Sequence, residues 1–294
     1  MPIQKAQKNF KRIGIVTKRD NKAHKRVIKH LANYLKDKNK EVYFDQNTAH
    51  FFDEKPLKKT DLFNKVDMVI SLGGDGTILK IARRQTRKIV PIFGVNFGNL
   101  GFLTECTPDR MFKCLDKVFD KKYFLDKRSL LRVTLYRDHK KIETYLALND
   151  AVINQGSFAR LITLDLQINS RKVVKFKADG LIIATPTGST GHSLSAHRPI
   201  VHPSVQSLVV TPICPSSLSI RPIVLPDTRQ LTVTIDTQRR DETNILGLTI
   251  DGQDIKTLKY EDQIKFRRSK RYLNFIRTSN KYYKMLRGKL NWGI

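Results

Sequence analysis

The residues Gly73-Gly74-Asp75-Gly76-Thr77 set one carboxylate among three glycines. They follow the apolar run Val66 to Leu72 and precede helical spacing from Ile78 to Arg84. The loop is therefore expected at the carboxyl end of a parallel strand, where open α/β sheets bind ligands. Glycine lets main-chain amides approach a phosphate closely, and the start of the next helix adds donors and a positive dipole end. A pure phosphate cradle would avoid the negative charge of Asp75, unless that charge meets a metal ion or takes a proton. Both tasks belong to phosphoryl transfer onto an alcohol, whose hydroxyl sheds a proton while cations neutralise phosphate oxygens. The other reading is a structural strand-to-helix turn in which Asp75 caps the helix. The P-loop pattern GxxxxGK[ST] does not occur.

A second glycine-rich turn runs from Gly94 to Phe102 and again follows an apolar stretch. Turn chemistry explains it as well as ligand contact does. Leu148-Asn149-Asp150 joins an amide and a carboxylate at a strand end, a pair suited to the two hydroxyls of a ribose; an Asx turn is the alternative. The run Ala178 to Ala196 leads from the apolar residues Leu181 to Ala184 into a turn crowded with hydroxyls. Such a density of small donors beside a strand end suits the polar edge of a nucleotide.

The first third of the chain must position the glycine loop. It reads as strand Ile13 to Val16, a helix within Asn21 to Asp37 with Val27, Ile28, Leu31 and Leu35 on one face, strand Val66 to Leu72, a helix from Ile78, and strand Ile89 to Val95. That βαβ rhythm predicts a parallel sheet covered by helices. From Ser129 the texture changes to period-two alternation, as in Leu131, Val133 and Leu135, or Ile162, Leu164, Leu166 and Ile168, or Leu231, Val233 and Ile235. Many short half-buried strands predict a sandwich-like β domain. The expected division is an N-terminal α/β domain over 1–127, a β-sandwich domain over 128–278, and a C-terminal helix over 279–294. That helix presents Tyr282, Met285 and Leu286 and is expected to pack back on the first domain.

With 294 residues the chain can bury two cores without disulfides. Cys106, Cys114 and Cys214 have no CxxC spacing, so buried thiols and a reducing, cytoplasmic setting are expected. The basic lead Met1 to Arg12 lacks the apolar core of a secretory signal. No apolar run approaches the roughly 20 residues that span a bilayer, so no membrane partner is expected. The formal net charge of +28 draws polyanions at long range. The cations are spread, however, over Lys36, Lys38 and Lys40, then Lys58 and Lys59, then Arg267, Arg268, Lys270 and Arg271. A solvated basic surface is expected rather than a nucleic-acid footprint.

In this order, GGDGT, GVNFGNLGFLTE, LND, ADGLIIATPTGST and SLSIRPIVLP resemble the NAD kinase family from about Ile13 to Trp292. The GGDG loop alone also occurs in lipid kinases; the long Thr/Ser segment singles out NAD kinases. The resemblance implies an α/β + β fold, with a Rossmann-like first domain, a β-sandwich second domain and catalysis in the cleft between them. It implies NAD as acceptor, ATP as phosphoryl donor, Mg²⁺ or Mn²⁺ as cation, and a homodimer or homotetramer built through the β domain. Asp75 would act on the 2′-hydroxyl of the adenosine ribose as base or metal-positioning carboxylate, with Gly76 against the substrate and Gly73, Gly74, Gly76 and Thr77 forming the phosphate loop. Asn149 and Asp150 would hold the adenosine part. Asp179 and the run Thr190, Gly191, His192, Ser193, Leu194 and Ser195 would line the pocket for bases and ribose. Arg160, Lys177 and Gln253 would add dinucleotide contacts, and no protein metal ligand is assigned.

Two departures stand out. The family usually has Tyr where this chain has His192, and Gly-Gly where it has His197 and Arg198. Histidine still stacks on a base but is smaller and titrates near neutral pH. The remaining histidines, His24, His30, His50, His139 and His202, show no metal-ligand spacing and are expected on the surface. The competing readings are a lipid kinase sharing the loop and a basic nucleic-acid-binding protein with a degenerate nucleotide site.

Overall fold

The structure, a computed structural model, describes residues 8–18, 24–52, 54–84, 88–155, 161–191, 199–236 and 246–291. The chain divides into two units, Met1–Lys127 with Leu273–Ile294, and Arg128–Tyr272.

In the first unit the elements run β1 (Arg12–Thr17), α1 (Lys25–Asp37), β2 (Glu41–Phe44), α2 (Gln46–Ala49), α3 (Lys59–Lys65), β3 (Met68–Leu72), α4 (Asp75–Ala82), β4 (Ile92–Val95) and α5 (Pro108–Phe119). The four strands form a parallel sheet in the order β2-β1-β3-β4. Strand β3 is buried at every position, Ser71 included, as expected of a parallel strand covered on both faces. Helix α1 buries Ile28, Leu31, Ala32 and Leu35, an i, i+3, i+4, i+7 stripe; of the predicted face Val27 is only half-buried, and Ala32 joins it instead. These residues and Met111, Cys114, Leu115 and Val118 of α5 share one core with Ile13, Ile15, Ile70, Leu72, Phe93 and Val95. Strand β2 and helices α2 and α3 are not part of the sequence reading, and several boundaries shift: β3 begins at Met68 because Val66 closes α3. Strand β4 starts at Ile92 rather than Ile89, because Pro91 has no N–H for a ladder, although its carbonyl accepts from Val69 N at 3.0 Å. Helix α4 starts at Asp75 itself rather than at Ile78.

Strand β5 (Phe124–Arg137) carries the chain into the second unit. There follow β6 (Lys140–Ala147), β7 (Asp150–Gln155), β8 (Ile162–Ile168), β9 (Arg171–Ala178), β10 (Gly180–Ala184), a 3₁₀ turn (Thr187–Thr190), β11 (Ser207–Ile213), β12 (Ile223–Pro226), β13 (Leu231–Asp236), β14 (Leu246–Ile250), β15 (Asp254–Leu258) and β16 (Gln263–Arg277). One antiparallel sheet has the order β12-β11-β10-β7-β14-β15; in the other, β16, β13, β8 and β9 are successive neighbours, with β5 pairing β16 and β6. Leu131, Val133, Leu135, Leu164 and Val233 from the second sheet pack with Ile153, Leu181, Ile183, Val210 and Leu248 from the first in one core. The period-two alternation seen in the sequence is the inward half of this sandwich. From Leu273 onward β16 belongs to the first unit, where Phe275 pairs in parallel with Ile92. Helix α6 (Tyr282–Leu290) ends that unit; Leu286 is its buried residue, whereas Tyr282 and Met285 are half-buried.

No helix among the described residues is long and apolar enough to cross a membrane. Cys106 and Cys114 are buried free thiols, but Cys214 is exposed, at a positive φ of 43° just after β11. His24 is half-buried rather than free on the surface, its ring 4.0 Å from that of Phe97.

Candidate active site

Asp75 opens α4 immediately beyond the carboxyl end of β3. Its side chain does not cap that helix: the N-cap is Gly74, with no side-chain bond. The carboxylate turns instead to the second glycine-rich turn, where Oδ2 accepts the Phe102 amide at 2.9 Å and Oδ1 the Leu103 amide at 3.2 Å. The fit leaves no room for a side chain at Gly101, where a Cβ would stand 2.5 Å from Asp75 Cγ. Both loops are fastened to the sheet and to each other. Gly73 N donates to Val95 O at 2.9 Å, Asn96 N to Cys106 O at 2.9 Å, and Gly101 N to Thr104 Oγ1 at 2.8 Å. Asn96 closes the second turn on itself, donating from Nδ2 to Asn99 O at 2.6 Å and accepting from Gly98 N at 3.1 Å. The result is a half-buried carboxylate of fixed orientation beside a helix start, with Gly76 exposed next to it. The pKa of the Cys114 thiol is held below its ordinary value by the hydrogen bond from Cys106 and one from Thr278, against the opposing effect of burial.

The second unit gathers its own cluster at the start of β7. The buried carboxylate of Asp251 accepts three successive amides: Leu148 N at 3.0 Å on Oδ2, and Asn149 N at 2.7 Å and Asp150 N at 3.2 Å on Oδ1. Asp251 N returns a bond to Asp150 O at 2.9 Å. From the end of β10, Thr185 N donates to Asn149 O at 2.8 Å and Thr185 Oγ1 to Leu148 O at 2.5 Å. The 3₁₀ turn then lies so close that a Cβ on Gly188 would sit 2.5 Å from the Asn149 carbonyl carbon. Ser189 Oγ donates to Pro186 O at 2.7 Å and to Val201 O at 3.1 Å, so part of the hydroxyl density serves the turn itself. Among the described residues the Asn149 side-chain amide takes no hydrogen bond, and Gly191 lies against it. With its backbone held from three directions, Asn149 presents an amide that a ligand can use.

Asn149, Asp150, Thr190 and Gly191 are thus brought together. Gln253 lies in the β14–β15 loop two residues past Asp251, half-buried. Asp179 and Lys177 lie elsewhere: they precede β10, whereas Thr185 follows it, which separates them from the cluster by about 20 Å of extended chain. Asp179 is half-buried and its carboxylate has no hydrogen-bond partner among the described residues. Arg160, His192, Ser193, Leu194, Ser195, His197 and Arg198 lie outside the described residues. The sequence reading missed the central role of Asp251 and the amides of Phe102 and Leu103. Asp-Gly at 251–252 signals a hairpin turn, with both residues at positive φ (50° and 64°), but no local pattern reveals that the carboxylate reaches back to residue 148.

Among the described residues no three His, Cys, Asp or Glu side chains group as a metal cage. A divalent cation carried by a triphosphate needs none, since Mg²⁺ commonly keeps waters and takes one or two carboxylates plus phosphate oxygens. Each Asp75 oxygen accepts one amide and retains acceptor capacity, so the site suits such a cation.

The chain matches the family model of the ATP-NAD kinase N-terminal domain over residues 13–123 and that of the C-terminal domain over residues 148–278. It is 44% identical over 237 residues to the NAD kinase of Geotalea daltonii, covering 80% of this chain and 82% of that protein. It is 38% identical over 284 residues to the NAD kinase of a Thermoanaerobacter species, covering 96% and 99%. Among solved structures, yeast NADH kinase complexed with NADH superposes with a TM-score of 0.88 at 25% identity, covering 98% of this chain and 89% of that one. An NAD kinase from Archaeoglobus fulgidus in complex with ATP gives 0.74 at 28%, covering 95% and 98%. With both domain models matched in order and relatives aligned end to end, the chain belongs to the ATP-NAD kinase family.

Proposed function

We propose that this protein transfers the γ-phosphoryl of ATP to the 2′-hydroxyl of the adenosine ribose of NAD, giving NADP and ADP. The observation that carries the reading is Asp75, a carboxylate held by two amides, free of any capping duty, at the ligand-binding end of a parallel strand. Asp75 takes or draws off the proton of the attacking hydroxyl, and the glycine loop with the start of α4 offers amides to phosphate oxygens. A bound Mg²⁺ or Mn²⁺ would neutralise charge on those oxygens. The second unit supplies recognition: the Asn149 amide and the Asp150 carboxylate suit the adenosine part, and Gly188 of the 3₁₀ turn and Gly191 just after it lie against Asn149. Gln253, Arg160 and His192 to Ser195 are further dinucleotide contacts in this reading, whereas Lys177 and Asp179, at the opposite end of β10, would touch only a part of the dinucleotide remote from Asn149. Phosphoryl transfer depends on positioning and charge neutralisation, so no covalent protein intermediate is needed.

A homodimer or homotetramer built through the second unit is part of the proposal. It is supported by exposed Leu218, Ile223 and Val224, on and just before the edge strand β12. A cytoplasmic setting agrees with three free cysteines. The test is incubation of the pure protein with ATP, Mg²⁺ and NAD, with NADP read by an NADP-specific dehydrogenase. NADP and ADP formed in equal amounts support the proposal; ATP turnover without NADP overturns the choice of acceptor.

A further inference from the structure

We propose that Arg277, in the last residue of β16, is a positioning residue for Asp75; the proposal rests on the catalytic reading of that carboxylate. Arg277 is 8% exposed. Its Nη2 donates to Phe102 O at 3.1 Å, its Nη1 to Thr104 O at 2.8 Å, and its Nε to Asp126 Oδ2 at 3.2 Å. The two carbonyls belong to the turn whose amides hold Asp75. One peptide unit joins the two ends directly, because the carbonyl of Phe102 accepts from Arg277 while the N–H of the same unit, that of Leu103, donates to Asp75 Oδ1. A cation on the carbonyl polarises the peptide and strengthens the bond made by its N–H. The guanidinium therefore fixes the plane of the group that aims Asp75 and raises its donor strength.

The surroundings show why the charge can be buried. Glu105, 2% exposed, lies 3.6 Å from Nη1 through Oε2, while its Oε1 accepts Thr278 Oγ1 at 2.6 Å, Thr278 N at 3.1 Å and Lys281 Nζ at 3.3 Å. All of these residues lie in the first unit. Buried ion pairs are poor stabilisers compared with apolar packing, so a merely architectural joint would not require this one. Two carbonyls on one turn and a carboxylate, addressed at once, do require a planar fork. Lysine, a point charge on a flexible stem, cannot reproduce it.

The experiment compares full-length Arg277→Met and Arg277→Lys with the unmodified chain, each also in an Asp75→Asn background, by kcat, KM for NAD and ATP, and thermal unfolding. A folded Arg277→Met is expected to lose about 10²-fold in kcat with both KM values within about twofold, since small misplacement at a reacting centre costs that much. Arg277→Lys should fall short as well, and in the Asp75→Asn background either substitution should cost less than about twofold more. Should Arg277→Met fail to fold, Arg277→Lys decides: reduced kcat at unchanged KM supports the role, and unmodified kcat overturns it. An equal loss in both backgrounds also overturns it. Asp75→Asn at full activity would overturn the catalytic reading itself, whereas an inactive Asp75→Asn beside a fully active Arg277→Met would sink this inference alone.

Discussion

Gly101 and Asp75 share one space: a Cβ on Gly101 would stand 2.5 Å from Asp75 Cγ. The second glycine-rich turn therefore forms the wall against which the carboxylate of the first loop is set. Gly101→Ala must push Asp75 off the amides of Phe102 and Leu103. The variant is expected to lose about 10²-fold in kcat. Overpacking should also cost about 1–3 kcal/mol of stability. Kinetics on a variant shown to be folded by circular dichroism check this, and a kcat within twofold of the unmodified chain would contradict it.

The Asn149 side chain makes no hydrogen bond among the described residues, so its removal should leave the fold intact. Asn149→Ala is expected to raise KM for NAD about three- to tenfold, the worth of one hydrogen bond, with kcat nearly unchanged. Steady-state kinetics and an unaltered melting temperature together test this assignment. A change confined to the ATP KM would move Asn149 to the donor's site.

Asp251 holds Leu148, Asn149 and Asp150 by their amides. Asp251→Asn keeps one acceptor oxygen and loses the other, leaving a buried donor unsatisfied at a cost of about 1–3 kcal/mol. Urea unfolding should show that loss together with a raised KM for NAD. Undiminished stability would mean that the β14–β15 loop does not organise the strand start.

Asp67 gives a pH prediction. Burial pushes its carboxyl up, but side-chain and main-chain bonds to Arg12 and the nearby charge of Lys88 hold it, on balance, below the ordinary carboxylate range. A lowered folded-state value means that its contribution is present above the unfolded value of about 3.9 and is lost as pH falls through the folded one. The melting-temperature gap between the unmodified chain and Asp67→Asn should be constant from pH 7 to about 5 and close at lower pH. It should be small, because Arg12 is exposed. A gap that persists unchanged to pH 3 would show that the ion pair is not its source.

The layering of the fold was legible because burial leaves periodic marks: a mostly apolar run in β3, an apolar stripe in α1, alternation in β5, β8 and β13. Asp75 was legible because a carboxylate among glycines is chemically odd. What holds it was not, since Phe102, Leu103 and Arg277 act through main-chain atoms or at long sequence separation, and any side chain at 102 or 103 offers the same N–H. Asp251 escaped for the same reason. Its Asp-Gly dipeptide predicts a turn, and only the pairing of β14 with β7 brings it to residue 148. Asp179 shows the opposite limit: a shared motif with the Thr185 turn suggests one pocket, yet β10 places its two ends far apart.

In the proposed reaction Asp75 acts on the hydroxyl that receives the phosphoryl group. The most direct measurement is the rate of NADP formation from saturating ATP, Mg²⁺ and NAD by the unmodified chain and by Asp75→Asn, with binding of NAD measured alongside. A positioned base contributes about 10²–10⁴-fold, so the variant should bind NAD with little change and turn over at least about 10²-fold more slowly. Equal rates of NADP formation would contradict the account.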